Sequence, residues 1–494
     1  MLKRNWHYLL LLFLLLDLSY SFWHYMQFAL DGDLAPIVWP SESYARLLHD
    51  PFGLGVLLDS DVYAAPNRFF AHYTIYVYFR YVPLLLQKLM LNPVDSVYVA
   101  CGLLKLAVHM LVVYVLAVAV SNSVSVLSKR FLVAAALITP FFQTSGFNNA
   151  MGIIDWSITY TAFYALPMSL LLLFFLPFLR AALHGEPLRE SWIGYVGLLG
   201  LVLLLSFNGA IVPAVVLIVC PTVLLLCWYR RFAARPATEP VWPRALRALG
   251  DVPRILLVSF GLFSLLSLYS MFIGMNNSEN LWVSLPLAER YKRVPRGLLY
   301  LFTGYYQPTD KYGYTFLAAL ALANVVAVWR LLPAPLAGKF LTVFKWLVLF
   351  AAVYVLLLPL GGYRSYREYI IRRDTILPIT LGLIGFVTLS AYYLLKHLPR
   401  PAQQRYAAAV VACLALFTIT DRYKASESNT CERSLFAQLA ASSEPIARLP
   451  ATCTLMDWRP VTDYHQSGIN AELLHYWGII KTPKRYYQQE ELNP

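Results

Sequence analysis

Charge is what this chain has least of. Asp, Glu, Lys and Arg make up 14% of its 494 residues, against about a quarter in a soluble globular protein. Too little polar surface is left to coat a water-facing exterior, which excludes an ordinary soluble enzyme. Other marks are missing as well. No CxxC or His-x-x-x-His spacing supports a zinc site. No repeated half, of the kind transporters carry, can be seen. The net charge of +13 comes with no nucleic-acid module, so it is read as basic loops held against anionic lipid.

What the chain does have is apolar length. Hydrophobic residues are 59% of it, and 34 Tyr, 28 Phe and 12 Trp supply rings for the headgroup level. Mean hydropathy is +0.56. The fold class expected is all-α and membrane-embedded, with about eleven transmembrane helices from the count of apolar windows. Those windows are Tyr8–Leu30, Val97–Val120, Phe131–Gln143, Ile158–Leu179, Trp192–Phe207 and Ala210–Trp228. Ile255–Met275, Tyr314–Leu332, Phe340–Leu360, Ile376–Leu395 and Tyr406–Thr420 complete the set. The third and eleventh are short enough to be tilted or partly re-entrant. Lys3 and Arg4 before the first run resemble a signal peptide, but the run goes on to about Leu30 without an Ala-x-Ala site. That length favours an uncleaved first helix.

Lys and Arg set the orientation. Lys3, Arg4, Lys129, Arg130, Arg180, Arg189 and the Arg230–Arg254 loop fall on one side, with Arg330, Lys339, Lys396, Arg400 and Arg405. The amino terminus is therefore expected in the cytoplasm, and an odd span number puts the tail outside. Residues 1–420 form the membrane domain, with an acidic first outer loop over 31–66, and residues 421–494 form a small extracytoplasmic C-terminal tail. Two outer loops nevertheless carry cations: Arg290, Lys292, Arg293 and Arg296, then Arg364, Arg367, Arg372 and Arg373. Either a span is miscounted, or something anionic docks there. In the tail, Cys431 and Cys453 are open to two readings, a disulfide in an oxidising compartment or a buried thiol at Cys453. The other four cysteines sit in apolar windows as packing residues.

Three features point to chemistry. Asp31-Gly32-Asp33 stands where the first run leaves the membrane, followed by Glu42, Asp50, Asp59 and Asp61. Such acids suit a general base or a hard divalent cation, Mg²⁺ or Mn²⁺, with Asp33 and Asp155 as its ligands; they also suit helix capping. The segment Tyr363–Asp374, read as a helix, puts Arg364 and Arg367 on one face. Arginine forks grip phosphate oxygens, and the Tyr/Arg alternation equally suits a flat interfacial anchor. Asp17 lies inside the first run, where a carboxylate marks function by default. His49, His72, His465 and His475 receive no role.

This layout resembles the GT-C superfamily of polytopic glycosyltransferases that use lipid-phosphate sugars. The resemblance is carried by Lys3 and Arg4, the first span, Asp31-Gly32-Asp33 at its outer end, about eleven spans by the window count, and the outer tail. It implies that Asp31 or Asp33 deprotonates an acceptor hydroxyl. It also implies a polyprenyl-phosphate-linked sugar donor, undecaprenyl or dolichyl, whose phosphate is held by Arg364, Arg367, Arg372 and Arg373. The short tail and the lack of a Trp-Trp-Asp-type signature turn the acceptor from protein toward a glycan or lipid of the cell envelope. That sets the enzyme in a bacterial inner membrane, with membrane lipids as partners and no nucleic acid. An O-antigen polymerase or ligase and a lipid or glycan flippase are the competing functions.

Overall fold

The computed structural model describes residues 5–89, 91–142, 151–188, 191–280, 285–303, 312–361, 367–421 and 428–489. It is 74% helical with almost no sheet, and nine helices among the described residues are long and apolar enough to cross a membrane. The protein is an integral, multi-pass helical bundle. Every one of the eleven apolar windows contains a helix. Two of those helices are short: Lys129–Ile138, extended by the 3₁₀ turn Thr139–Phe141, and Trp192–Ser206. The eleventh window, expected to be short, belongs to the 21-residue helix Arg400–Thr420.

Local chemistry explains where these helices start and stop. Asn92 caps the helix Pro93–Ser121, its side chain accepting from the Asp95 amide at 2.8 Å, with Pro93 at the first helical position. Ser128, Ser157 and Ser191 cap the next starts in the same way. Gly185 closes the span Ile158–His184 at φ +72°, a left-handed turn that a side chain would resist.

Burial sorts the spans. Two-thirds of the apolar window of Pro93–Ser121 and of Leu377–His397 is buried (67% each), whereas Ala334–Gly361 and Arg400–Thr420 bury only 6%. The first pair forms the centre of the bundle. The second pair presents Leu and Val to lipid, as a helix with no partner must.

One end of the bundle, called here the near end, carries structure that apolar windows do not report. The helix Phe69–Lys88 starts beside Phe207, whose carbonyl accepts from the Phe70 amide at 3.2 Å, and ends beside Pro93 and Trp477. Both of its ends lie at the near end, so it runs across the bundle rather than through it. The helix Leu287–Thr303 lies in the same kind of position. Above them the tail folds into a small α/β unit. Helix Thr430–Ala441, helix Gly468–Tyr476 and the parallel strands Ile446–Pro450 and Arg485–Gln489 pack around a fully buried Trp477. Cys431 and Cys453 are joined in a disulfide, which decides between the two readings of that pair.

Candidate functional site

The two aspartates of the first outer loop have different surroundings. Asp31 is 1% exposed. Its oxygens accept from Ser157 Oγ at 2.7 Å, Thr159 Oγ1 at 2.8 Å, the Thr159 amide at 3.1 Å and the Asp33 amide at 3.1 Å. A carboxylate fed by that many donors is a tie between the end of the first span and the start of Ile158–His184. Asp33 is half-buried, and its Oδ1 accepts from the indole N–H of Trp458 at 3.0 Å. It stands at the N-cap of the short helix Leu34–Val38, yet its side chain makes no capping bond. Capping is therefore not its task.

Gly32 makes the contact with the tail possible. A Cβ there would meet Trp458 Cδ1 and the Trp458 backbone nitrogen at 2.7 Å, so a side chain would push the tail off the loop. Trp458 packs on Trp156, with centroids 5.7 Å apart and edge-to-face, and on Tyr160 at 5.5 Å. Asp33 also acts on the Tyr44 hydroxyl, which burial and Glu279 push well above the usual tyrosine range, with Asp33 adding to the shift and Arg68 opposing it. Tyr44, Arg68 and Asp33 thus share one neighbourhood. Beneath them the chain takes a π-helical turn over Thr161–Ala165, a distortion that recurs at functional sites.

The arginine segment reaches the same place. Arg367 donates from Nη2 to the Tyr160 hydroxyl at 2.6 Å. Arg373 is ion-paired with Asp155, and Arg372 with Asp374 at 2.8 Å. Arg364 lies outside the described residues. The helix expected over Tyr363–Asp374 is not formed across residues 367–374, which are irregular. Tyr369, Ile370 and Ile371 are buried one after another, and no single helix face can bury three consecutive residues. The Thr375 hydroxyl ties the turn by donating to the Ile370 carbonyl at 2.8 Å.

Asp155, placed at the mouth of the fourth span by the sequence, sits behind this front. Its Oδ1 accepts from the Ser157 amide at 2.8 Å and its Oδ2 faces Arg373. Burial pushes the Asp155 carboxyl up, opposed by Arg373 and the Ser157 amide. Lys105, buried inside its span, donates to the Trp156 carbonyl and sits 4.8 Å from the Phe28 ring centroid. With both Asp155 oxygens engaged, the pairing of Asp33 and Asp155 around a divalent cation is not formed. No cluster of three His, Cys, Asp or Glu suited to a metal occurs among the described residues.

The two cationic loops meet beside this junction. Arg293 donates to the Glu368 carbonyl at 3.2 Å, and Tyr300 packs on Tyr369 at 4.9 Å. Between them lies a cleft of about 430 Å³ lined by Glu289, Lys292, Arg293, Arg296, Glu368 and Tyr369. Asp17 is elsewhere. It is buried within the bundle and accepts from Thr139 Oγ1 at 3.2 Å, which lies 3.4 Å from His109 Nε2.

Glu432 holds the tail in place over the loop. It is 1% exposed and accepts from the Leu30 amide (2.9 Å), the Tyr98 hydroxyl (2.6 Å) and the Met456 amide (3.0 Å). Burial pushes its carboxyl up to about 7 in spite of those donors. The disulfide at the adjacent Cys431 anchors the chain that leads through Cys453 to Met456 and Trp458.

Several of these residues escaped the sequence reading. Lys105 could have been found, since a lone cation inside an apolar window is a signal in itself. Trp458, Trp156, Tyr160 and Glu432 carry none; only the tertiary fold brings them to Asp33 and Asp31. Comparison with protein families, curated proteins and solved structures finds no match to this chain.

Proposed function

We propose that the near end of the bundle is the active site of a membrane glycosyltransferase, which moves a sugar from a polyprenyl-phosphate-linked donor to a glycan or lipid acceptor. The observation that carries this reading is the meeting, at one membrane edge, of a half-buried carboxylate (Asp33) and an arginine-bearing segment joined through Tyr160 and Trp458. Displacement at an anomeric carbon requires both a proton acceptor and a cation for the leaving phosphate.

In the reaction, the acceptor oxygen attacks the anomeric carbon and its proton passes to Asp33. The carbon–oxygen bond to phosphate breaks, and the electron pair leaves with the phosphate. Arg367 and its neighbours Arg364, Arg372 and Arg373 balance that charge. Positioned proton transfer is worth about 10²–10⁴-fold, and fixed cations at the leaving group add the electrostatic part. Asp31 is the positioning residue, tying the loop that carries Asp33 to Ser157 and Thr159. This scheme routes no step through a metal ion.

The Cys431–Cys453 disulfide supports an oxidising, extracytoplasmic side for the tail. The basic loops at the far end support a cytoplasmic amino terminus, in a bacterial inner membrane. With the short helices Lys129–Phe141 and Trp192–Ser206 counted as partial crossings, about eleven spans keep the termini on opposite sides.

The test uses the purified chain in proteoliposomes with a panel of polyprenyl-phosphate hexoses and pentoses. Asp33→Asn is expected to lower transfer by about 10²-fold or more with unchanged thermal unfolding. Normal transfer by that variant would remove the catalytic assignment.

A further inference from the structure

Two indole rings stand open at the mouth of the site. Trp156 is 37% exposed and Trp458 is 41% exposed, and neither belongs to a membrane-spanning helix. Interfacial tryptophans ordinarily sit with the ring toward acyl chains and the N–H toward headgroups. Trp458 does neither. Its N–H is committed to Asp33 at 3.0 Å, and its flanks are Asp457 and Arg459 on a segment tied back by a disulfide. Asp457 is polar company with a purpose of its own, its carboxylate accepting from the Trp458 amide at 2.6 Å. The ring is thereby fixed in orientation while much of its surface faces water.

A rigid, open indole ringed by carboxylates and guanidinium groups matches one chemical class well. A pyranose presents C–H bonds on one face, which pack on an aromatic ring, and hydroxyls on its edge, which take hydrogen bonds from charged groups. Apolar ring plus a few convergent polar groups is also the general composition of a small-molecule site. We propose that Trp458 and Trp156 form a platform for a pyranose ring of the acceptor, so that the substrate accepting the sugar is itself a glycan rather than a bare lipid alcohol. The platform belongs to the acceptor because it hangs from the tail, on the side away from the spans, whereas a polyprenyl donor arrives from lipid. Stacked there, the sugar's edge hydroxyls would lie beside Asp33, the group that has to take a proton. Gly32 is part of the device, since any side chain at that position would displace Trp458 from the loop.

This inference rests on the glycosyltransferase reading, but its test does not use transfer. The full-length protein in detergent is mixed with a panel of methyl pyranosides (gluco, galacto, manno and the 2-acetamido forms), and saturation-transfer NMR is recorded with no donor present. At least one pyranoside is expected to receive saturation on its ring C–H protons, while glycerol phosphate receives none. Trp458→Ala is expected to weaken binding of that pyranoside about tenfold, the scale of one lost ring contact. Trp458→Phe, which keeps a ring but not the N–H, should bind within a few-fold of the parent protein. Trp156→Ala is the second variant, needed should loss of Trp458 unseat the tail. Absence of saturation for every pyranoside, or equal saturation in the Trp156→Ala/Trp458→Ala double variant, would overturn the platform. Either outcome can occur with sugar transfer intact, so the two ideas fail separately.

Discussion

The two ends of the bundle are both rich in arginine, yet they handle charge in opposite ways. At the far end the charges stay in water. Arg235 meets Asp251 at 2.5 Å with the aspartate side chain 49% exposed, and Arg247 meets Glu239 at 3.6 Å. Arg231 and Arg244 donate to backbone carbonyls at helix ends, of Asp251 and Phe232, which favours the C-terminal dipole. At the near end the acids are taken inside: Asp31, Asp50, Asp155, Asp374, Asp421 and Glu432 are all buried. A buried charge must be matched by partners or it destabilises, and a bundle held by apolar packing has no structural need of six such groups. The difference locates the chemistry: solvated pairs anchor loops, and buried ones build a site.

This contrast can be broken at its strongest point. Arg373→Gln leaves the Asp155 carboxylate inside without its cation, and is expected to destabilise the protein by about 3–5 kcal/mol. Thermal unfolding in detergent would read it, and the double variant with Asp155→Asn should recover much of the loss. A drop of under ~1 kcal/mol, the surface-pair value, would mean the near end is no different from the far one.

A second effect is tied to pH. Glu432 has a folded value of about 7 against an ordinary 4.5, so the tail binds best with this carboxyl protonated. That contribution is complete below about pH 4.5 and fades as pH rises through 7, on the order of 3 kcal/mol in all. Hydrogen exchange at the Leu30 and Met456 amides should therefore quicken from pH 5 to 8 beyond the intrinsic rate. Glu432→Gln should flatten that dependence; an unchanged slope would sink the account. The smallest effect belongs to the far end. Arg235→Gln is expected to change stability by about 0–1 kcal/mol, and less at high salt.

How much of this was legible in the sequence varies with the distance over which the signal acts. Long apolar windows are local, and each of them holds a helix. The position of Asp31-Gly32-Asp33 at a membrane edge is local too, but the division of labour between its two aspartates is not. It depends on Ser157 and Thr159 for one, and on Trp458 for the other. The helix Phe69–Lys88 was missed because Arg80, His72 and its tyrosines dilute the apolar pattern. They are there because the helix lies across the bundle end, where Arg80 stacks on Tyr76 with 4.6 Å to the ring centroid. The segment after Tyr363 was read as a helix from its Tyr/Arg alternation. In the fold, burial of Tyr369, Ile370 and Ile371 outweighs that pattern.

The contacts that close the near end also have a temporal meaning. Leu30 and Glu432 are 402 positions apart, Phe79 and Trp477 are 398 apart, and Asp33 and Trp458 are 425 apart. Chains are synthesised and folded from the amino end first, so the acidic loop emerges long before its aromatic cover exists. Until the last helix is threaded and the tail has oxidised, Asp33 waits at the membrane surface without an indole beside it. Competence is therefore withheld until biogenesis is finished, and a chain stalled midway would carry the base but no bench on which to work.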